Sequence, residues 1–312
     1  MKTSVVTVTL NPALDKTVTV SSLKTGGLNR VKDIRMDAGG KGINVAKVLK
    51  KFEVDVLAAG LIAGFQGQLL LEYLEAEGIK TSFLKIPGET RTNLKIVEEK
   101  TKITTEVNEA GFLVTQEDLK RFSDNLLHLM DQTCILVLSG SLPPGVPETI
   151  YKDYIEIANA KGIKTILDAD GKALEEGIKA LPFAIKPNIH ELENLAGCKL
   201  LEEKDVVLAG RHLIEKGINL VVISMGSEGA IVLNDKETYR VKTFPIKRES
   251  TVGAGDSMVA TLAYALLNNK PLEEIAKWIT TAGTITASKP GTQVCTLAEV
   301  QQSLHQVHAF KI

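Results

Sequence analysis

The chain has 312 residues, with 37 Lys and Arg against 38 Asp and Glu, hence a formal net charge of −1. That length holds one large domain or two small ones, and 44% hydrophobic with 24% charged residues excludes wholesale disorder. The even balance excludes a general nucleic-acid coat or an anionic-membrane binder, since both need a basic excess.

Met1 and Lys2 precede a short β-branched run, Ser4–Leu10, that Asn11-Pro12 stops; it reads as a first strand and not as a secretion signal. Further strands are expected at Val54–Ala59, Cys134–Leu138, Lys164–Leu167, Phe183–Ile185 and Leu220–Ser224. Helical periods fall between them at Ile43–Phe52, Gly67–Glu77, Gln116–Met130, Glu148–Ala160, Ile189–Leu195 and Asp205–Lys216, several closed by a glycine (Gly78, Gly162, Gly217). This alternation predicts an α/β fold, a mostly parallel central sheet with helices on both faces. Such sheets bind ligands at the carboxyl ends of their strands.

Two stretches break the rhythm. Lys16–Ser21 with Asn29–Met36, and Thr92–Glu98 with Ile103–Asn108, show period-2 alternation, as in Leu94/Ile96 against Asn93/Lys95. One-sided alternation marks a sheet with one wet face, so these segments read as a small four-stranded outgrowth, a lid over about residues 16–36 and 91–108 of one domain spanning 1–312. The C-terminal third is expected to be helical, at Ala254–Leu267, Leu272–Ala287 and Leu297–His308. The longest apolar run, Met258–Leu267, falls short of the ~18 residues of a membrane span. Cys134, Cys198 and Cys295 are odd in number and lack CxxC spacing, which argues against disulfides or zinc and for a cytoplasmic protein.

Four loops carry candidate chemistry. Ala38–Ala46 (AGGKGINVA) sets three glycines, a lysine and an asparagine before a helix, where free N–H groups meet anions or hydroxyls. It is neither a Walker A loop nor a dinucleotide fingerprint. Ser139–Gly145 (SGSLPPG) follows a strand at the expected ligand edge. In Lys186–Leu192 (KPNIHEL), Asn188 and Glu191 share a face; they suit either a capping box or a water-mediated Mg²⁺ and phosphate site. His190 belongs to the helix surface. Ser250–Met258 (STVGAGDSM) places two glycines and Asp256 at a helix start. Asp256 there is either a dipole complement or a carboxylate beside an anion hole, able to take a proton from a hydroxyl during phosphoryl transfer.

These motifs together resemble the ribokinase-like (PfkB) carbohydrate kinases, in order and spacing, over essentially the whole chain. Its two signatures stand here as GGKGINVAKVL (Gly39–Leu49) and STVGAGDSMVA (Ser250–Ala260). LNPALDKTV, TRTNLKIVE and TEVNEAG look most like the 1-phosphofructokinase branch, with tagatose-6-phosphate kinases next. The resemblance implies a ribokinase-like fold and ATP-dependent phosphorylation of fructose 1-phosphate, with Mg²⁺, in a homodimer joined through the lid. Tagatose-6-phosphate kinase or 6-phosphofructokinase activity is the alternative within the family. A non-catalytic sugar-phosphate and nucleotide sensor is the alternative outside it. The family pattern makes Asp256 the base and gives the anion hole to the N–H groups of Gly253, Ala254 and Gly255. It assigns Asp15, Gly39, Gly40, Asn44 and Ser139 to the sugar, and Arg30, Lys41 and Arg91 to its phosphate. Lys186, Ser224, Gly226, Gly229, Ala282 and Gly283, with Ala287 nearby, fall to ATP; Asn188 and Glu191 fall to ATP and Mg²⁺ through water. Between Lys24 and Lys51, eight Lys/Arg stand against Asp33 and Asp37, a local excess suited to a substrate phosphate, with Lys47, Lys50 and Lys51 expected on a solvated helix face.

Overall fold

The computed structural model describes residues 3–101 and 103–312; Met1, Lys2 and Lys102, the last within the expected 91–108 segment, lie outside the described residues. In chain order the elements are β1 (Thr3–Thr9), β2 (Ala13–Val20), β3 (Asp33–Gly39), α1 (Lys41–Lys51), β4 (Val56–Ala63), α2 (Gly64–Ala76), β5 (Lys80–Ile86), β6 (Arg91–Glu98) and β7 (Thr104–Asn108). Then come α3 (Gln116–Met130), β8 (Thr133–Ser139), α4 (Ile150–Ala160), β9 (Lys164–Asp168), α5 (Gly171–Gly177), β10 (Ala184–Ile185), α6 (Ile189–Ala196), α7 (Glu203–Glu215) and β11 (Leu220–Ser224). The last are β12 (Ala230–Leu233), β13 (Thr238–Val241), α8 (Ala254–Leu267), α9 (Leu272–Ala287), α10 (Leu297–Ser303) and β14 (Ala309–Lys311).

Ten strands form the central sheet in the order β14-β13-β12-β11-β10-β9-β8-β1-β4-β5, parallel from β11 to β5. The parallel strands are apolar on both faces because helices cover both. Along β8, Ile135 and Val137 pack into one layer with α1, α8 and α9, while Leu136 and Leu138 pack into the other with α3, α4 and α7. The α/β, mostly parallel architecture is therefore as expected.

The C-terminal third is not purely helical. β12, β13 and β14 close one edge antiparallel, and the expected helix to His308 ends at Ser303, followed by a single 3₁₀ turn, Leu304–Gln306. β12 is a short run buried on both faces, a pattern that alternation does not mark. β5 and α5 were likewise absent from the sequence expectation. Among the described residues no helix is long and apolar enough to cross a membrane.

A second sheet of four strands, β3-β2-β6-β7, stands outside the first. β2 runs antiparallel to β3 and parallel to β6, so Asp15 lies in register with Asp37 and Asn93, and Thr17 with Arg35 and Lys95. Because side chains alternate across a strand, these six residues share one polar face, while Val18 and Ile96 point to the other. On that second face Ile34 and Val107 are exposed.

Candidate active site

Parallel pairing brings several loops to one edge of the central sheet. Ser139 ends β8 in register with Asp168, which ends β9; Lys186 follows β10, and Ser224 ends β11 and bridges to Asn188. Backbone bonds fix this edge: Gly140 N–H donates to Asp168 O at 3.0 Å and Ser224 N–H to Pro187 O at 3.0 Å. The buried Tyr151 hydroxyl donates to Gly140 O at 3.0 Å, holding the SGSLPPG loop from beneath.

Two helices start at this edge. Gly40 precedes α1 with φ 119°, a conformation that side chains rarely adopt, and a Cβ there would stand 2.8 Å from Thr9 Cγ2. One turn of α1 then presents Lys41 and Asn44 on the same side. Gly253 precedes α8 with φ 77°, and no side chain caps that helix. Ala254 N–H donates to Thr251 O at 3.3 Å, whereas Gly253 and Gly255 N–H find no backbone acceptor among the described residues. Such unpaired donors, at the positive end of a helix dipole, suit an anion.

Asp256, in the first turn of α8, is buried, and Asn44 Nδ2 donates to its Oδ2 at 2.7 Å. Burial pushes its carboxyl up to about 6, the nearby Asp168 charge adds to this, and Asn44, Lys41 and Lys186 offset part of it. Lys186 and Lys41 both sit on Asp168 Oδ1, at 3.3 and 3.4 Å. Burial works against ionised Asp168, but the two ammonium groups outweigh it and hold its carboxyl below the usual range. Burial also opposes the Lys41 charge, yet Asp168, Glu191, Asp256 and Asp170 together keep that ammonium protonated well above an ordinary lysine. Asp168 Oδ2 is buried and has no hydrogen-bond partner among the described residues.

A second buried carboxylate belongs to the outer sheet. Asp15 accepts from Asn93 Nδ2 at 3.0 Å and pairs with buried Lys95 at 3.1 Å. Gly39 lies against it, since a Cβ there would stand 2.7 Å from Asp15 Cγ. At the start of β6, Arg91 donates to Asn11 O at 3.1 Å and Glu109 O at 3.2 Å, next to Ser141. Burial pulls its pKa down from the ordinary arginine value, against the charges of Asp15, Asp170 and Glu109.

Beyond α8 opens a cleft of about 730 Å³, lined by Asn188, Ser224, Gly226 and Gly229 on one side and by Thr280, Gly283, Thr284 and Ala287 of α9 on the other. Ala254 and Gly255 form its inner end. An apolar cleft whose inner end meets unpaired N–H groups, with two lysines and a buried carboxylate beyond them, is fitted for a nucleotide whose terminal phosphate meets an acceptor hydroxyl.

The profile of the "pfkB family carbohydrate kinase" matches residues 8–299. The chain belongs to the pfkB family of carbohydrate kinases. It is 40% identical over 294 residues to a 1-phosphofructokinase of Escherichia coli (strain K12), covering 93% of this chain and 92% of that protein. It is 35% identical over 311 residues to a tagatose-6-phosphate kinase of Staphylococcus epidermidis, covering 99% and 100%. Among solved structures, phosphofructokinase-2 from Escherichia coli in complex with potassium superposes with a TM-score of 0.93 at 29% identity, over 98% of this chain and 99% of that one.

Against this pfkB frame, most residues singled out in the sequence gather at one sheet edge, and three expectations change. Arg30 is exposed on the 21–32 connection between β2 and β3, with no hydrogen bond or ion pair to the cluster among the described residues. Ala282 is buried in the core; on α9 the cleft face is set by the 280, 283, 284, 287 spacing, and residue 282 falls off it. The basic stretch is not a patch: Lys47 is buried, donating to Ala38 O at 2.7 Å, and Lys32, Arg35 and Lys41 pair with Glu99, Asp37 and Asp168. Asn188 and Glu191 form the capping box, with bonds of 2.8 and 2.9 Å, and His190 is exposed. Lys186 stands beside Gly255 and Asp168 rather than in the cleft wall. Asp168, Asn93 and Lys95 were missed as site residues. An aspartate ending a strand of a parallel sheet is a usable signal for the first; only the β2–β6 pairing reveals the other two.

Proposed function

We propose that the chain transfers the γ-phosphoryl group of ATP to the free hydroxymethyl group of D-fructose 1-phosphate, giving ADP and D-fructose 1,6-bisphosphate. The observation that carries this reading is Asp256: a buried carboxylate with a pKa of about 6, oriented by Asn44, next to unpaired N–H groups. Near neutral pH it is ionised yet basic enough to accept the proton of the attacking hydroxyl. Gly253 and Gly255 N–H groups would take the charge that builds on the transferring phosphoryl, and Ala254 joins by giving up its long turn bond. Lys41 and Lys186, fixed by Asp168, add positive charge at the same point. Asp15 accepts from sugar hydroxyls, and Arg91 reaches the substrate phosphate from the start of β6.

Among the described residues no three His, Cys, Asp or Glu side chains form a metal cluster. Glu191 and Asn188 would hold Mg²⁺ through water, and the orphaned buried Asp168 Oδ2 is an oxygen acceptor of the kind such an ion takes. Such an ion would neutralise phosphate oxygens of ATP. The outer sheet serves as the lid of one kinase domain, and its exposed Ile34 and Val107 suit a second copy of the chain.

Full-length likeness to a tagatose-6-phosphate kinase supports the second reading, since either substrate presents a hydroxymethyl acceptor remote from a phosphate. An ADP-release screen decides. The proposal expects the highest kcat/KM with fructose 1-phosphate; a preference for tagatose 6-phosphate or fructose 6-phosphate overturns it, and binding without ADP release marks a sensor.

A further inference from the structure

We propose that Arg35 is a positioning residue that couples the polar face of the outer sheet to the glycine turn opening α8. The proposal rests on the reading of Gly253–Gly255 as the anion hole, and it adds what holds that hole in shape.

Arg35 lies on β3, two residues from Asp37 and in register with Thr17 and, across β2, with Lys95. Its guanidinium pairs with Asp37: Nη2 donates to Oδ1 at 2.9 Å, and Nε lies 2.8 Å from Oδ2 as an ion-pair contact without hydrogen-bond geometry. The same Nη2 donates to Thr292 Oγ1 at 2.9 Å, across 257 residues of sequence. Thr292 belongs to the 288–295 loop that follows α9. The loop reaches the guanidinium closely because residue 291 is glycine, with φ 62°: a Cβ there would stand 2.9 Å from Arg35 Nη1.

From Thr292 the contacts run on to α8. Val294 is buried, and its Cγ1 lies 3.7 Å from where a Cβ of Gly253 would be. Cys295 N–H donates to Thr286 Oγ1 at 3.1 Å, and that oxygen lies 2.8 Å from Ser257 Oγ in the first turn of α8. The Gly253 turn has no side-chain cap of its own. Within the turn Val252 N–H donates to Ser250 Oγ at 3.2 Å and Ala254 N–H to Thr251 O at 3.3 Å, and this loop supports the turn from outside. Arg35 pins the loop from the same sheet face that carries Asp15, so the sugar end and the phosphoryl end share one strut. A lysine does not replace it, because a point charge on a flexible stem lacks the planar guanidinium whose Nη2 donates to both Asp37 Oδ1 and Thr292 Oγ1.

The test uses the full chain with its best substrate from the sugar screen. Thr292→Val keeps the volume and removes the acceptor; Arg35→Ala removes the whole connection. Both are expected to lower kcat about tenfold while KM for the sugar phosphate and for ATP move less than about threefold. The double variant should be no slower than Arg35→Ala, and Arg35→Lys should not recover the loss. Amide exchange of residues 250–257 should quicken in both single variants with no change in the thermal midpoint. Wild-type kcat in Thr292→Val, additive losses, or an effect on KM alone would overturn the proposal, and Thr292→Val suffices if Arg35→Ala does not fold. Asp256→Asn separates the two readings: full turnover there removes the base, and with it the reading of this helix start as the reaction centre on which the proposal rests. Lost turnover there, with wild-type kcat and exchange in Thr292→Val, removes only the role of Arg35.

Discussion

Asp15 and Asp256 are both buried aspartates next to glycine turns, yet the chain surrounds them differently. Asp15 has its counter-charge built in: Lys95 at 3.1 Å, on the adjacent strand, with Asn93 on the other oxygen. Among the described residues the side-chain partner of Asp256 is a neutral amide at 2.7 Å, and the two lysines whose charges act on it are paired with Asp168. Burial of both is nearly complete, so depth does not separate their roles. The charge of the nearest partner does. A carboxylate with a fixed cation is a stable acceptor for hydroxyls; one without is driven toward its protonated form and becomes a proton acceptor in the useful range.

The strongest way to break this comparison is Asp256→Asn. It should lower kcat by at least ~10²-fold with both KM values nearly intact, measured by coupled ADP release. It should also stabilise the protein. Between the unfolded carboxyl value and about 6 the folded state binds more protons than the unfolded one, so stability falls as pH rises through that window. Above it the full cost, about 3 kcal/mol, remains. At pH 7.5 the variant should therefore melt higher than wild type in calorimetry; a lower midpoint would show that Asp256 is not a strained charge. Lys95→Met makes the opposite change, stripping Asp15 of its cation. Leaving a buried charge uncompensated should cost about 3–5 kcal/mol in urea unfolding and raise KM for the sugar phosphate but not for ATP. Arg91→Ala should raise the same KM roughly tenfold, through one lost charge-assisted contact, with little effect on ATP. Equal effects on both substrates would place the phosphate elsewhere.

The Asp256 half of the comparison was legible in the residues themselves; Asp15 was named only through the family resemblance, and its partners Asn93 and Lys95 were not legible at all. Gly253, Gly255 and Asp256 are contiguous, so helix-start chemistry could be read locally. The parallel sheet was equally legible, since apolar strands and helical periods alternate in the chain itself. Asp15 and Lys95, in contrast, are 80 residues apart and meet through the parallel β2–β6 pairing, which alternation alone does not specify. The expected start of β2 at Lys16 also left Asp15 outside the strand that presents it. The local charge count misled in the same way: over residues 24–51 it took in the cations without the carboxylates that topology brings to them. β12 and β14 escaped for a different reason, being too short for either period to register.

The smallest effect sharpens the comparison most. With a base titrating near 6, kcat should fall to about half at pH 6 and then about tenfold per further unit of acid, because the protonated carboxyl accepts nothing. A substrate phosphate titrates in the same region, so the profile of kcat, at saturating sugar phosphate, is the one to follow. Neighbouring charges fix which way the inflection moves. Asp168 raises the Asp256 value through its negative charge, so Asp168→Asn should shift the inflection to lower pH. Lys41 lowers it, so Lys41→Met should shift it higher. Lys95 acts on the other aspartate, and Lys95→Met should leave the inflection where it is even as the sugar KM climbs. An inflection that moved with Lys95 would mean that the two carboxylates share one field, and the division of labour between them would be lost.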